Sequence, residues 1–116
     1  MFGSMFSSIK EVDAPQLADW MDNESQNLRI IDVREIPEIA QGMVPGSMPV
    51  PLRTLPVRLD ELDRDERIVL VCRSGARSAQ ACMFMQQNGF ENVYNLRGGI
   101  MGWARGNLPI AQPVFA

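Results

Sequence analysis

The sequence contains no histidine, two cysteines and a single lysine among its 116 residues. Without histidine, no Cys–His or Ser–His catalytic pair is available, and two cysteines alone cannot complete a structural zinc site. We therefore expect neither a metal nor a cofactor. Two cysteines also make no disulfide framework, which favours a reducing, cytoplasmic setting. A formal net charge of −3 provides no basic surface for nucleic acid or an anionic membrane.

The sequence also lacks a long apolar segment. Its first ten residues, MFGSMFSSIK, hold no apolar run preceded by positive charge, so we expect neither a signal peptide nor a membrane span. With 46% hydrophobic and 22% charged residues, the composition is typical of one globular domain. We expect a single domain over residues 1–116, with its core between about 9 and 108 and a loose tail over 109–116.

Strand and helix signals alternate along the chain. Short apolar runs predict strands, and capping residues or helical spacing predict helices between them. The predicted strands are residues 9–12, 28–31, 48–50, 68–71 and 93–96, and the predicted helices are about 14–21, 37–41, 52–62, 78–88 and a short one after the glycines at 98 and 99. This order is typical of an α/β fold.

The most informative stretch is residues 68–78, IVLVCRSGARS. Four consecutive apolar residues predict a strand that is buried on both faces, as in a parallel sheet. The strand ends at Cys72, and a loop leads from there into the next helix. The loop residues are Arg73, Ser74, Gly75, Ala76 and Arg77. Because open α/β sheets bind ligands at the carboxyl ends of their strands, we expect Cys72 to lie in a binding crevice.

The chemistry of this loop follows from its composition. A loop that enters a helix directs free backbone N–H groups inward, and the helix dipole adds partial positive charge. Arg73 and Arg77 add two permanent charges, and Gly75 permits a tight turn. These features stabilise a thiolate over a thiol. We therefore predict that Cys72 is an activated nucleophile facing an anionic substrate, and not a structural buried cysteine.

Arg34 and Cys82 are two further residues that could take part in binding or catalysis. Arg34 follows the strand at 28–31, where it either attracts an anion at the crevice rim or pairs with Asp32 or Glu35. Cys82 lies about halfway along the helix that follows Cys72, among Ala and Met residues. We predict that Cys82 is a core residue and not a partner thiol for Cys72.

Three segments together resemble a single-domain rhodanese, a sulfurtransferase. They are IDVREIPEIAQGMVPGSMPVPL (31–52), VCRSGARSAQAC (71–82) and NGFENVYNLRGGIMGW (88–103). The resemblance implies an α/β domain with an open parallel sheet of about five strands and helices on both faces. It also implies that Cys72 carries sulfur as a persulfide, with backbone N–H groups of residues 73–77 around the extra sulfur. A small anionic donor such as thiosulfate would supply the sulfur, and cyanide, a thiol or a sulfur-relay protein would accept it.

The sequence departs from the family pattern at Met43, where the family commonly has histidine in a G-H-I-P-G segment. Two other functions remain open. A cysteine phosphatase or arsenate reductase of related fold is one, although Arg77 follows Cys72 after four residues, whereas such phosphatase loops have five. The shorter loop should form a cradle that fits a sulfur atom better than a phosphate. The other is a non-catalytic binding module, which the presence of Cys72 disfavours.

Overall fold

Five short strands form one parallel sheet in the computed structural model, which describes residues 9–114. The strands are β1 (Lys10–Val12), β2 (Leu28–Asp32), β3 (Met48–Pro49), β4 (Arg67–Val71) and β5 (Val93–Leu96). They lie in the order β1-β5-β4-β2-β3, with every neighbouring pair parallel. Residues 1–8, for which the sequence predicts no signal peptide, and residues 115–116 of the predicted tail lie outside the described residues.

Helices cover both faces of the sheet. They are α1 (Ala14–Asn23), α2 (Ile36–Ile39), α3 (Leu55–Arg58), α4 (Ala76–Gln87) and α5 (Gly99–Arg105). Alternate residues of β4 enter two different cores: Ile68 and Leu70 pack in the core beneath α4, whereas Val69 and Val71 pack in the core that contains Trp103 of α5. Burial on both faces explains the uninterrupted apolar run of β4. The predicted fold class, an open five-stranded parallel α/β sheet with helices on both faces, is confirmed.

Two helices differ from their predicted bounds. The helix predicted over 52–62 is divided into the 3₁₀ turns Leu52–Thr54 and Leu59–Glu61 around the single α-helical turn of α3. Pro56 lies in the first turn of α3, where proline is tolerated, but in the interior of a helix that began at residue 52 its missing N–H and its ring would break the hydrogen-bonded ladder. Helix α4 begins two residues earlier than predicted. Its N-cap is Gly75 at φ 109°, a left-handed conformation that glycine adopts without strain.

The described part of the C-terminal tail is paired with the rest of the domain. Met43 and Ala111 form an antiparallel bridge through two backbone hydrogen bonds, of 2.9 and 2.8 Å. The indole Nε1 of Trp103 donates to the Pro109 carbonyl at 2.7 Å. Met43 itself is 6% exposed. The expectation of a loose tail is therefore wrong for residues 109–111. The sequence did not predict this pairing, because backbone hydrogen bonds between distant segments leave no pattern in the order of the residues. Within residues 9–114, no helix is both long and apolar enough to cross a membrane.

Candidate active site

Cys72 lies directly after β4, at the carboxyl edge of the sheet, and is 1% exposed. The main-chain carbonyls of the loop face α5. Cys72 O accepts from Ile100 N at 2.9 Å, and Arg73 O accepts from Met101 N at 3.1 Å. The first turn of α5 thus uses its free N–H groups to fix the backbone of the loop. This arrangement leaves the N–H groups of the loop available to the sulfur.

Glycine is required where the loop meets α5. Gly99 has φ 58°, and a Cβ at this position would overlap the Arg73 carbonyl and lie 2.6 Å from the Cys72 carbonyl. Any side chain at residue 99 would push the loop away from α5. Gly99 therefore permits the close approach that fixes the Cys72 loop.

Hydrogen-bond donors surround the sulfur atom. Cys72 Sγ lies 3.1 Å from Gly75 N, which donates to it, and 3.3 Å from the Ser78 hydroxyl. Burial raises the pKa of the Cys72 thiol, but hydrogen bonds from Ser78, Gly75 and Ser74 outweigh it, so that the pKa lies below its ordinary value. The loop is therefore built to favour a thiolate.

Two polar residues that the sequence analysis did not select support this loop. Ser78 in α4 is fully buried, and Asn95 in β5 is 3% exposed. The Ser78 hydroxyl lies 2.5 Å from Asn95 Oδ1, and Asn95 Nδ2 donates to Gly75 O at 3.0 Å. A polar residue inside the short apolar strand at 93–96 was the available signal for Asn95, because polar groups are buried only with partners.

Arg77 forms a two-point ion pair with Glu38 of α2. Its Nη1 and Nη2 lie 2.7 and 2.8 Å from the two carboxylate oxygens. Hydrogen bonds from the Arg77 guanidinium lower the pKa of Glu38 to about 2. Glu38 therefore balances the charge of Arg77, and the pair connects α2 to the first turn of α4.

Arg34 takes the structural role that was one of its two predicted alternatives. It is 5% exposed, and its Nη2 lies 2.8 Å from both Asp32 Oδ2 and Gly42 O. Its Nη1 also donates to Glu38 O at 3.3 Å. Because these partners hold the guanidinium within the protein, the structure does not bring Arg34 to the crevice as a free anion-binding group.

The outer residues of the loop are accessible. Arg73, Ser74 and Ala76 are exposed, and Gly75 and Arg77 are partly exposed. No other residue among 9–114 forms a hydrogen bond or ion pair with the Arg73 side chain, so its charge is uncompensated there. Of the predicted site arginines, Arg73 is thus the one that is exposed and has no ion pair among these residues.

Cys82 has the opposite environment to Cys72. It is fully buried in the core between α4 and the sheet, where burial raises the pKa of its thiol to about 12. Its predicted place in the core is confirmed. Across residues 9–114, no group of three or more His, Cys, Asp or Glu side chains is placed to hold a metal ion.

Comparison with known proteins agrees with this geometry. The rhodanese-like domain family matches residues 13–106. The chain belongs to the rhodanese-like family. It is 42% identical over 105 residues to a protein named Sulfurtransferase from Allochromatium vinosum, covering 90% of this chain and 97% of that protein. It is also 30% identical over 106 residues to the thiosulfate sulfurtransferase GlpE of Glaesserella parasuis, covering 91% of this chain and 96% of the relative.

Solved rhodanese-like structures have the same fold. The crystal structure of a rhodanese-related protein from Thermoplasma volcanium superposes with a TM-score of 0.81 at 28% identity, covering 90% of this chain and 99% of the other. A rhodanese-like domain protein from Staphylococcus aureus gives a TM-score of 0.76 at 30% identity, covering 82% and 91% of the two chains. Together with the relatives, these matches support a rhodanese-type sulfurtransferase.

Proposed function

We propose that this protein is a sulfurtransferase that carries sulfane sulfur as a persulfide on Cys72. The observation that carries the proposal is the sulfur of Cys72, held 3.1 Å from the Gly75 N–H in a loop that lowers the pKa of its thiol. A thiolate is the nucleophilic form of cysteine, and the same donors stabilise the negative charge on a terminal persulfide sulfur. The names of the relatives support the same reaction class.

The reaction is a double displacement. The Cys72 thiolate attacks the outer sulfur of thiosulfate, a new S–S bond forms, and the original S–S bond breaks with its electron pair leaving on sulfite. The product is a Cys72 persulfide. Cyanide or a thiolate then attacks the outer persulfide sulfur and carries it away, and the Cys72 thiolate is regenerated. No net oxidation is needed, because each step moves one sulfur atom between nucleophiles.

The charges at the mouth of the loop favour a small anionic donor. Arg73 is exposed and uncompensated among residues 9–114, whereas Glu38 pairs with Arg77. Backbone N–H groups of residues 73–77 and the Arg73 guanidinium would bind the donor. The acceptor is cyanide, a small thiol or a sulfur-relay protein. One relative, 35% identical, is named Putative sulfur carrier protein YrkF, and the match spans 52% of its length.

The alternative functions fit this site less well. A phosphatase or arsenate reductase needs an arginine that clamps a tetrahedral anion above the thiolate. Arg77, the arginine at the end of the loop, is bound by Glu38 at two points. A non-catalytic module would have no need of the donors around Cys72.

The free thiols of Cys72 and Cys82 suit a single-domain protein of the reducing cytoplasm.

The test is the intact mass of the protein after incubation with thiosulfate. We expect the wild type and Cys82→Ala to gain one sulfur atom that cyanide or dithiothreitol removes, and Cys72→Ser to gain none. Cys82→Ala is the matched control, since it removes the other thiol. No adduct on the wild type would exclude thiosulfate as donor and direct the test to a protein persulfide. An adduct on Cys72→Ser would exclude the assignment of Cys72.

A further inference from the structure

Asn95 occupies a particular place beside the nucleophile. It lies in β5 and is 3% exposed. Its partner on β4 is Leu70, which precedes Cys72 by two residues. Both ends of its amide are used within the loop region: Nδ2 donates to Gly75 O at 3.0 Å, and Oδ1 lies 2.5 Å from the Ser78 hydroxyl. The bond to Gly75 determines which end of the amide carries oxygen, since only the NH₂ group can donate to a carbonyl.

Asn95 therefore contacts two of the residues that hydrogen-bond to the sulfur, Gly75 and Ser78. Gly75 donates to Cys72 Sγ from its N–H while Asn95 holds its carbonyl. Ser78 lies between Cys72 Sγ, at 3.3 Å, and Asn95 Oδ1. The side-chain hydrogen bonds of Asn95 go to Gly75 and Ser78 and not to the sulfur, so any influence on reactivity passes through these two residues.

The Ser78 hydroxyl has one proton for two acceptors. With Cys72 as a thiol, Ser78 donates to Asn95 and accepts from the S–H group. With Cys72 as a thiolate, the charged sulfur is the stronger acceptor for that proton, because hydrogen bonds to ionised groups are about twice as strong as neutral ones. The hydroxyl serves both states only if its oxygen stays between the sulfur and the amide. The contact of 2.5 Å between the Ser78 hydroxyl and Asn95 Oδ1 supplies that restraint.

We infer that Asn95 is a positioning residue for Cys72: it holds Ser78 and the Gly75 peptide in the geometry that stabilises the thiolate and persulfide. The inference rests on the proposed use of Cys72 as a nucleophile, but its main test needs no sulfur donor. Asn95 does not contact the reacting sulfur, so its action is through Ser78 and Gly75.

The test measures the pH midpoint of iodoacetamide alkylation in a Cys82→Ala background, where Cys72 is the remaining thiol. Ser78→Ala and Asn95→Leu are each expected to raise the midpoint by about one pH unit. The first removes a donor to the thiolate, and the second releases the Ser78 hydroxyl and the Gly75 main chain from the positions in which they donate to the sulfur. If Asn95 acts through Ser78, the double variant shifts by clearly less than the sum of the two single shifts. Circular dichroism and thermal melting verify that each variant is folded.

Asn95→Asp is a second variant that retains the size and polarity of the buried side chain. Its carboxylate still accepts from Ser78, but it cannot donate to Gly75 O and it adds negative charge near the sulfur. We expect a larger upward shift than with Asn95→Leu. Because a polar residue remains at the buried position, this variant keeps the test available if Asn95→Leu does not fold.

The outcomes separate this inference from the proposed function. An unchanged or lowered midpoint in the folded Asn95 variants, or strictly additive shifts with Ser78→Ala, overturns the positioning role. In the thiosulfate assay, we expect kcat to fall about tenfold with little change in KM, since Asn95 is buried and acts through Ser78 and Gly75. If the wild type shows no transfer while the alkylation shifts are as expected, thiosulfate chemistry fails and the positioning role stands.

Discussion

The two cysteines of this domain are equally buried and chemically opposite. Cys72 is 1% exposed and Cys82 is fully buried, and both belong to the same apolar core. Burial raises the pKa of both thiols, yet only Cys72 has donors close enough to reverse the effect. The pKa of Cys72 falls below its ordinary value, and that of Cys82 rises to about 12. Reactivity is therefore determined by the local hydrogen-bond donors and not by exposure.

The largest expected difference between the two thiols is in alkylation rate. With a pKa of about 12, roughly one Cys82 in ten thousand is a thiolate at pH 8. We expect the folded protein to take up one iodoacetamide, at Cys72, at least a hundredfold faster than a second. In guanidinium chloride both thiols should react at similar rates. Peptide mapping identifies the labelled cysteine. Rapid labelling of Cys82 in the native protein would contradict the conclusion that Cys72 is the more reactive thiol.

The close approach of α5 to the loop provides the next test. We expect Gly99→Ala to lower the free energy of unfolding by about 3 kcal/mol and to raise the pH midpoint for alkylation of Cys72, because its Cβ overlaps the loop carbonyls. Gly46→Ala is the matched control: it also has positive φ, 80°, but nothing lies within 4 Å of the added Cβ. Gly46→Ala should lower the free energy of unfolding by about 1 kcal/mol and leave the pH midpoint for alkylation of Cys72 unchanged. Urea unfolding and alkylation measure both effects, and equal losses in the two variants would exclude a specific contact at Gly99.

Cys82→Ala should affect stability alone. Removing a buried sulfur leaves a small cavity, and we expect a loss of about 1 kcal/mol in the free energy of unfolding. The alkylation midpoint of Cys72 and the rate of persulfide formation should remain those of the wild type. A change in either quantity would show that Cys82 contributes to the reaction, against its place in the core.

The sequence predicted the elements whose signal is local. The β4 run is apolar because both of its faces are covered, and Cys72 follows it directly, so the strand and the position of Cys72 at its end were predicted together. The start of α1 also has a local signal, because Asp13 directly precedes the helix and its carboxylate accepts from Gln16 N at 2.9 Å.

Contacts between distant segments had no such signal. The pairing of Arg77 with Glu38 joins residues 39 positions apart, and that of Ser78 with Asn95 joins residues 17 positions apart. Sequence reasoning assigned Arg77 to the substrate because both arginines of the loop are near the thiol. It had no means to find the carboxylate that α2 brings to Arg77. The strand order β5-β4-β2, which places these partners side by side, is a property of the folded sheet.

The smallest expected effect concerns the ion pair between Arg77 and Glu38, which lies at the Cys72 loop and has no counterpart beside Cys82 among residues 9–114. Because the folded-state pKa of Glu38, about 2, lies below its ordinary value, its stabilising contribution is complete above about pH 4.5 and declines as the pH falls towards 2. The pair is partly exposed, so we expect Glu38→Gln to cost less than about 1 kcal/mol at pH 7.

Thermal melting of the wild type and Glu38→Gln across pH 7 to 2 measures this contribution. The difference in melting temperature should be constant down to about pH 4.5 and should shrink below it, as Glu38 becomes protonated in both the folded and the unfolded state of the wild type. Arg53 and Glu35 form a more exposed pair, so Glu35→Gln is the matched control and should show little difference at any pH. If the difference in melting temperature between the wild type and Glu38→Gln persists unchanged at pH 2, the negative charge of Glu38 does not stabilise the fold. The ion pair with Arg77 would then contribute nothing to stability.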